Sequence, residues 1–251
     1  MPISSAEDFH AAIHSSVGTP QPGFKTIHHG KVSTQKAYSR VHTSDWATAS
    51  VNLKSRIIHV DGYIDFQQNS LSTADYTRLR SLAIKGIQHY WSRNIALAGN
   101  QYTVIVKVHQ RKSHSIGVDL YIENSPDYAR SHNTGIIDAS FFYNKGVFKG
   151  NPFLAEQDFM LVSAHEFGHS VLKYFGGIGL SWRHKGSTTL LTQTFRSSTP
   201  GYPSQGEIDL MRYYNAQKNK QFISYSSIYK RTIAAESDVK RLIWLSQISI
   251  K

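Results

Sequence analysis

The 251-residue chain contains no cysteine. That absence removes disulfide bridges, thiolate zinc sites and a cysteine nucleophile together. Long apolar runs are missing too. No stretch of about 18 apolar residues occurs, so no transmembrane segment is expected. The opening residues, Met1-Pro2-Ile3-Ser4-Ser5, lack a basic segment followed by an apolar one, so the expectation is export by a leaderless route rather than behind a cleaved signal. Acidic residues are few, 17 against 28 Lys and Arg, which leaves a net charge of +11 at pH 7. Such a surplus favours polyanionic partners. The basic residues are scattered, however. The densest groups are Arg111-Lys112, Lys218 with Lys220, and Lys230-Arg231, and none forms a nucleic-acid motif, so no specific nucleic-acid partner is expected.

What is present is more pointed. His165-Glu166-Phe167-Gly168-His169 spells H-E-x-x-H. Side chains four apart share one face of a helix, so His165 and His169 can offer two imidazole nitrogens to one metal ion. Glu166 then stands beside the ion, where a carboxylate can accept a proton from an activated water. The surrounding sequence reads as a helix from Leu154 to Phe175. Asn151-Pro152 supplies the start, and Gly176-Gly177 is the expected stop. Met160, Ala164, Phe167, Val171 and Phe175 form its core-facing stripe. Gly168 costs about 1 kcal/mol relative to alanine in a helix. The close approach of another backbone and simple tolerance explain it equally well.

A catalytic zinc takes three protein ligands and keeps one open position. Downstream of His169 the candidates are His184, Glu207, Asp209, Glu236 and Asp238. A metzincin spacing would need Gly at 172 and His at 175, but the chain has Leu172 and Phe175, so that pattern is excluded. Gln205 to Asn215 reads as a helix beginning near Gly206, with Glu207 on the face of Leu210, Met211 and Tyr214. A carboxylate on an apolar face needs a positive partner, so Glu207 is the preferred third ligand, ahead of Asp209, His184 and Glu236. Asp209 faces Arg212, and Glu236 precedes Lys240 by four residues, a common surface pair. His184, in the polar loop Ser181-Trp182-Arg183-His184-Lys185-Gly186, is assigned a catalytic role as hydrogen-bond donor to the substrate carbonyl or oxyanion. Tyr202, Tyr213 and Tyr214 are weaker candidates for that task.

Along the chain, residues 1–50 read as an irregular arm or linker with a short helix from Ser5 to His14, and His28-His29 as a surface pair. Residues 51–251 read as one domain. A strand starts near Arg56, with Asp61-Gly62 as a bulge or turn. A helix capped at Ser72-Thr73 runs to about Gly99-Asn100. Strands follow at 101–110, 117–123 and 134–143, and then the motif helix. The order predicts an α+β, zincin-like fold: a small mixed twisted sheet on two long helices, with a mainly helical C-terminal part. Strand 134–143 is the candidate edge for an extended substrate.

His165 to Ser170, Gly176-Gly177, the Ser181–Gly186 loop and Gly206 to Tyr214 together resemble bacterial metallopeptidase toxin domains. These lie at the C-terminal ends of type VI secretion spike proteins and related polymorphic toxins. The resemblance spans about residues 74–215. It implies a gluzincin-like zinc site of His165, His169 and Glu207 with Glu166 as base, and a protein or peptide substrate. It also implies a spike or adaptor protein and a cognate immunity protein as partners, and action in the periplasm of a target cell or in a host cell. Thermolysin-like gluzincins place Asp four residues after the glutamate ligand. Here that position is Met211, which leaves the group that would orient a ligand histidine unassigned. Two other classes stay open: a non-catalytic, metal-stabilised binding module, and a protease directed to nucleic acid.

Overall fold

The computed structural model describes residue 3 and residues 5–17, 44–133 and 139–251. It is a mixed α+β protein whose sheet is covered on one face by helices. The chain opens with α1 (Ala6–Val17), where Ser5 and Asp8 cap each other reciprocally through side chain and backbone, the expected capping-box arrangement. Phe9, Ile13 and Val17 of this helix are buried in the main core. The first strand, β1 (Ala47–Asn52), already lies within the sheet. The short helix expected at Ser5–His14 thus forms as α1, and with the start of β1 it places these described residues in the common core rather than in an irregular arm. The His28-His29 pair lies outside the described residues.

β2 (Ile57–Gln67) is the sheet's central strand. Every second residue from Ile58 to Phe66 is buried, the period of a strand covered on one face. It pairs antiparallel with β1 and parallel with β4 (Asn100–Gln110) and β5 (Ile116–Glu123). The bulge or turn expected at Asp61-Gly62 is absent: Gly62 pairs in register with both Ala47 and Val108. β6 (Ala139–Asn144) runs parallel to β5. It covers the described part of the strand expected at 134–143, and residues 134–138 lie outside the description. β9 (Gln247–Ile250) closes the far side against β1.

α2 (Thr73–Trp91) starts where Ser72 accepts a hydrogen bond from the Asp75 amide, 3.1 Å. It ends earlier than expected, because Arg93–Leu97 forms β3 and turns back onto β4 through Ala98-Gly99. Both turn residues have positive φ, 47° and 78°, which matches the two-residue hairpin geometry that suits strand twist. A Cβ on Gly86 of α2 would come within 2.2 Å of the Met160 carbonyl oxygen. The bare glycine is what lets α2 press against the motif helix.

That helix, α3 (Pro152–Trp182), begins at an Asn151 cap, whose side chain accepts from the Leu154 amide. It packs on the sheet through Phe167, onto which Trp46 and Trp91 both stand edge-on at 5.7 and 5.4 Å. The expected stop at Gly176-Gly177 is instead a break. Gly177 adopts φ 80°, ψ 173°, and the helix resumes to Trp182 in a new direction. After it come β7 (Ile208–Asp209), α4 (Tyr225–Arg231), β8 (Thr232–Ile233) and α5 (Glu236–Leu245). No helix among the described residues is long and apolar enough to cross a membrane.

A candidate metal centre

His165 and His169 emerge one turn apart on α3, with ring centroids 4.8 Å apart, as helix periodicity requires. The third member of the cluster is His184, at 5.3 Å from the His165 ring and 4.9 Å from the His169 ring. One ligand nitrogen from each of the three lies within 4.8 Å of the others. The break at Gly177 makes this meeting possible. It turns residues 178–182 so that Ser181 and then His184 return to the motif. His184 and Lys185 take left-handed backbone conformations, φ 44° and 57°, which side-chain-bearing residues adopt only when their surroundings hold them there.

Hydrogen bonding tests whether the three rings suit a metal. His165 Nδ1 donates to the Leu210 carbonyl at 2.7 Å. His169 Nδ1 faces Ser181 Oγ at 2.9 Å, and that hydroxyl gives its own proton to the His169 carbonyl. His184 Nδ1 faces Thr188 Oγ1 at 3.2 Å, and Thr188 donates to the Trp182 carbonyl. Each hydroxyl's proton is used elsewhere, so each oxygen accepts from the ring. All three rings are thereby assigned protonated Nδ1 and a bare Nε2, the tautomer that binds a metal and is held by a partner behind it. His165 Nε2 and His184 Nε2 are buried with no hydrogen-bond partner. Burial pulls the His165 imidazole down to about 4 and the other two below their usual range as well. All three rings are neutral at pH 7 and available as ligands. The residues fit a divalent cation.

Glu166 lies beside them. Its Oε2 is 3.9 Å from His169 Nε2, and it too is buried without a hydrogen-bond partner. Burial pushes its carboxyl up to about 8, with Arg130 opposing. A nearby cation would draw that value back down.

Glu207 does not join the cluster, and the helix expected to carry it does not form. The Asp209 side chain accepts from the Met211 amide at 3.0 Å, and the Leu210 amide donates to the Ile233 carbonyl. These bonds hold the segment as a short strand and turn. Glu207 points outward, 60% exposed, and pairs with Arg93 at 3.0 Å. The third nitrogen comes from His184, which takes it away from the oxyanion role expected of it: the residue is fully buried, with Nδ1 engaged by Thr188 and Nε2 enclosed without a hydrogen-bond partner. Glu236 pairs with Lys240 as its spacing predicted. Asp209 pairs with Lys185 rather than Arg212.

Above His184 lies Tyr213, stacked at 3.7 Å between centroids. Its hydroxyl oxygen accepts from the Arg130 guanidinium at 2.9 Å, and Arg130 also bonds Gln193. Below the motif, Met211 packs so closely that a Cβ on Gly168 would lie 2.1 Å from its sulfur. A side chain, not a backbone, therefore explains that glycine. Two hollows flank Glu166. One of about 440 Å³ runs past His165 and Tyr213, and one of about 380 Å³ runs past His169 and the Arg130–Asn133 segment. That segment lies along the outer side of β6, where His132 and Ser140 exchange antiparallel hydrogen bonds. Ser181, Thr188 and Arg130 carry no readable sequence signal for these roles. From the sequence Tyr213 is only a weaker candidate for the hydrogen-bond role.

Comparison of the chain with protein-family models, with curated proteins and with solved structures finds no match.

Proposed function

We propose that the protein is a zinc-dependent metallopeptidase with a zincin-like catalytic centre. One observation carries this reading: three buried imidazoles converge, each ring held from behind through Nδ1, next to a buried carboxyl whose Oε2 has no hydrogen-bond partner. Neutral imidazoles suit zinc. Three protein nitrogens leave one position free, as in catalytic rather than structural zinc sites. When bound, the ion supplies Lewis acidity that brings the pKa of a water toward about 7.

The remaining work falls to the chain's own residues. Glu166 accepts the proton of the attacking water and delivers it to the leaving amine. Arg130 donates to the Tyr213 oxygen, so the phenol's own proton is left to stabilise negative charge on the carbonyl oxygen. The outer Arg130–Asn133 segment offers backbone groups to which an extended peptide can add as a strand. The resemblance of the motif segments to secreted peptidase toxins supports a substrate in the envelope or interior of a target cell, with a spike or adaptor protein for delivery and an immunity protein as antagonist.

The test is Glu166→Gln with Glu166→Ala alongside. The expected result is unchanged zinc content and a fall in peptide cleavage of about 10²–10⁴-fold. Cleavage equal to that of the wild type, or no bound zinc after supplementation, rules the reading out. Toxicity that persists in both variants points instead to a metal-stabilised binding module.

A further inference from the structure

α3 carries one more acidic residue on the face of His165. Asp158 precedes that histidine by seven residues, about two helical turns, and both line the 440 Å³ cavity that also reaches Glu166. The Asp158 carboxylate is only 9% exposed. It accepts from the Tyr128 hydroxyl at 3.0 Å and from the Tyr229 hydroxyl at 3.5 Å. Among the described residues no lysine, arginine or histidine forms an ion pair with it, although the chain carries 28 Lys and Arg. The two arginines that line the same cavity, Arg130 and Arg212, form none with it either. Leu161, Val162, Ile208 and Leu210 contribute apolar wall to the same cavity.

Glu166 and Asp209 also line the cavity, but Asp158 stands as a desolvated carboxyl without an ion pair, a poor stabilising device, since burying a carboxylate without a cation is costly. The cavity is a good receptor for a side chain with an aliphatic stem and a charged tip. Lysine and arginine are such side chains, and the tip gains a charge-assisted hydrogen bond that a neutral one lacks. Its volume is within the range of small-molecule pockets.

We propose that this cavity is the specificity pocket of the enzyme and receives a lysine or arginine side chain of the substrate, with Asp158 as counter-charge. The inference rests on the peptidase reading for its name as a specificity pocket, while the cation site can be tested without any reaction.

The probes are n-butylguanidine and its neutral isostere N-butylurea, titrated calorimetrically into the zinc-loaded full chain. The wild type and Glu166→Ala are expected to bind n-butylguanidine at one saturable site, about tenfold or more tighter than N-butylurea. Asp158→Asn, checked for folding by circular dichroism, is expected to lose that difference. In a peptide mixture, wild-type cleavage sites are expected to cluster at Lys or Arg, with Asp158→Asn losing the bias. Equal binding of the two probes to the wild type overturns the proposal whether or not the Asn variant folds, as does an undiminished preference in that variant. Cleavage that depends on Glu166 but ignores Lys and Arg overturns the pocket and leaves the peptidase standing. Asp158-dependent guanidinium binding in a protein that cleaves nothing keeps the cation site and removes the peptidase.

Discussion

Lys185 Nζ reaches the fully buried Asp238 carboxylate at 3.0 Å and bonds Asp209 as well. One ammonium thus ties the His184 loop to α5 and to the turn whose Leu210 carbonyl holds His165. Arg241 completes the group with a 2.6 Å bond to Asp238. Removing Lys185 leaves Asp238 to Arg241 alone and Asp209 without its cation, a loss of charge-assisted bonds that costs about 1–3 kcal/mol. Lys185→Met is therefore expected to lower stability by about that amount in urea titrations and to weaken zinc retention against a competing chelator. A variant with wild-type midpoint and wild-type zinc affinity would show that the loop holds His184 without this ion pair.

The ligand assignment is checked by metal content. His184→Ala is expected to purify with little or no zinc, because two imidazoles and water make a weak site. Glu207→Ala is expected to bind zinc at the wild-type stoichiometry and to lose only its exposed pair with Arg93, worth about 0–1 kcal/mol. Metal analysis of the two proteins decides between them, and the reverse pattern returns the third ligand to Glu207.

Gly168→Ala places a methyl where Met211 Sδ already lies, 2.1 Å from the ideal Cβ position. Overpacking of this kind costs about 1–3 kcal/mol. Met211→Ala opens the space, so the double variant is expected to be more stable than the sum of the single losses predicts. Strict additivity in denaturant unfolding would mean that the glycine is merely tolerated there.

The Asp158 carboxyl is pushed up to about 6 by burial, with the Tyr128 and Tyr229 hydroxyls pulling the other way. Both tyrosines, and Tyr90, which acts on the same carboxyl, are held neutral by their own burial across this range. Glu166, His165, Arg130 and Arg212 line the same cavity. The folded protein holds the Asp158 proton more tightly than the unfolded chain does, so the unfolded chain ionises first as pH rises. The associated stability is full below about pH 4 and is lost as pH rises through about 6, a change of about 3 kcal/mol. Asp158→Asn cannot ionise. Relative to it, the wild type is expected to lose that stability between pH 4 and 7, and parallel stability curves would contradict the assigned burial of the charge. A bound guanidinium stabilises the ionised form, so n-butylguanidine should bind more tightly as pH rises through the same window.

The elements whose cause is local were legible in the chain. Ser72 and Asn151 cap α2 and α3 through their own side chains, and the alternation along 101–110 became β4. Helix ends set by partners were not. Arg93–Leu97 leaves α2 because it pairs with β4. The Gly206–Asn215 segment, helical in pattern, gives its backbone groups to Ile233, His165 and an aspartate side chain instead.

The same division runs through the site. Two histidines and a glutamate within one turn and a half of helix owe their relative positions to the helical repeat alone, so the H-E-x-x-H spelling was sufficient to foresee that they share a face. The third imidazole stands fifteen residues beyond His169, past a glycine that breaks the helix, and is itself held in a left-handed conformation. No periodicity links such positions. Only packing decides that His184 turns inward under Tyr213 while Glu207 turns outward to Arg93, because each side chain settles where its desolvation is best compensated by the whole fold.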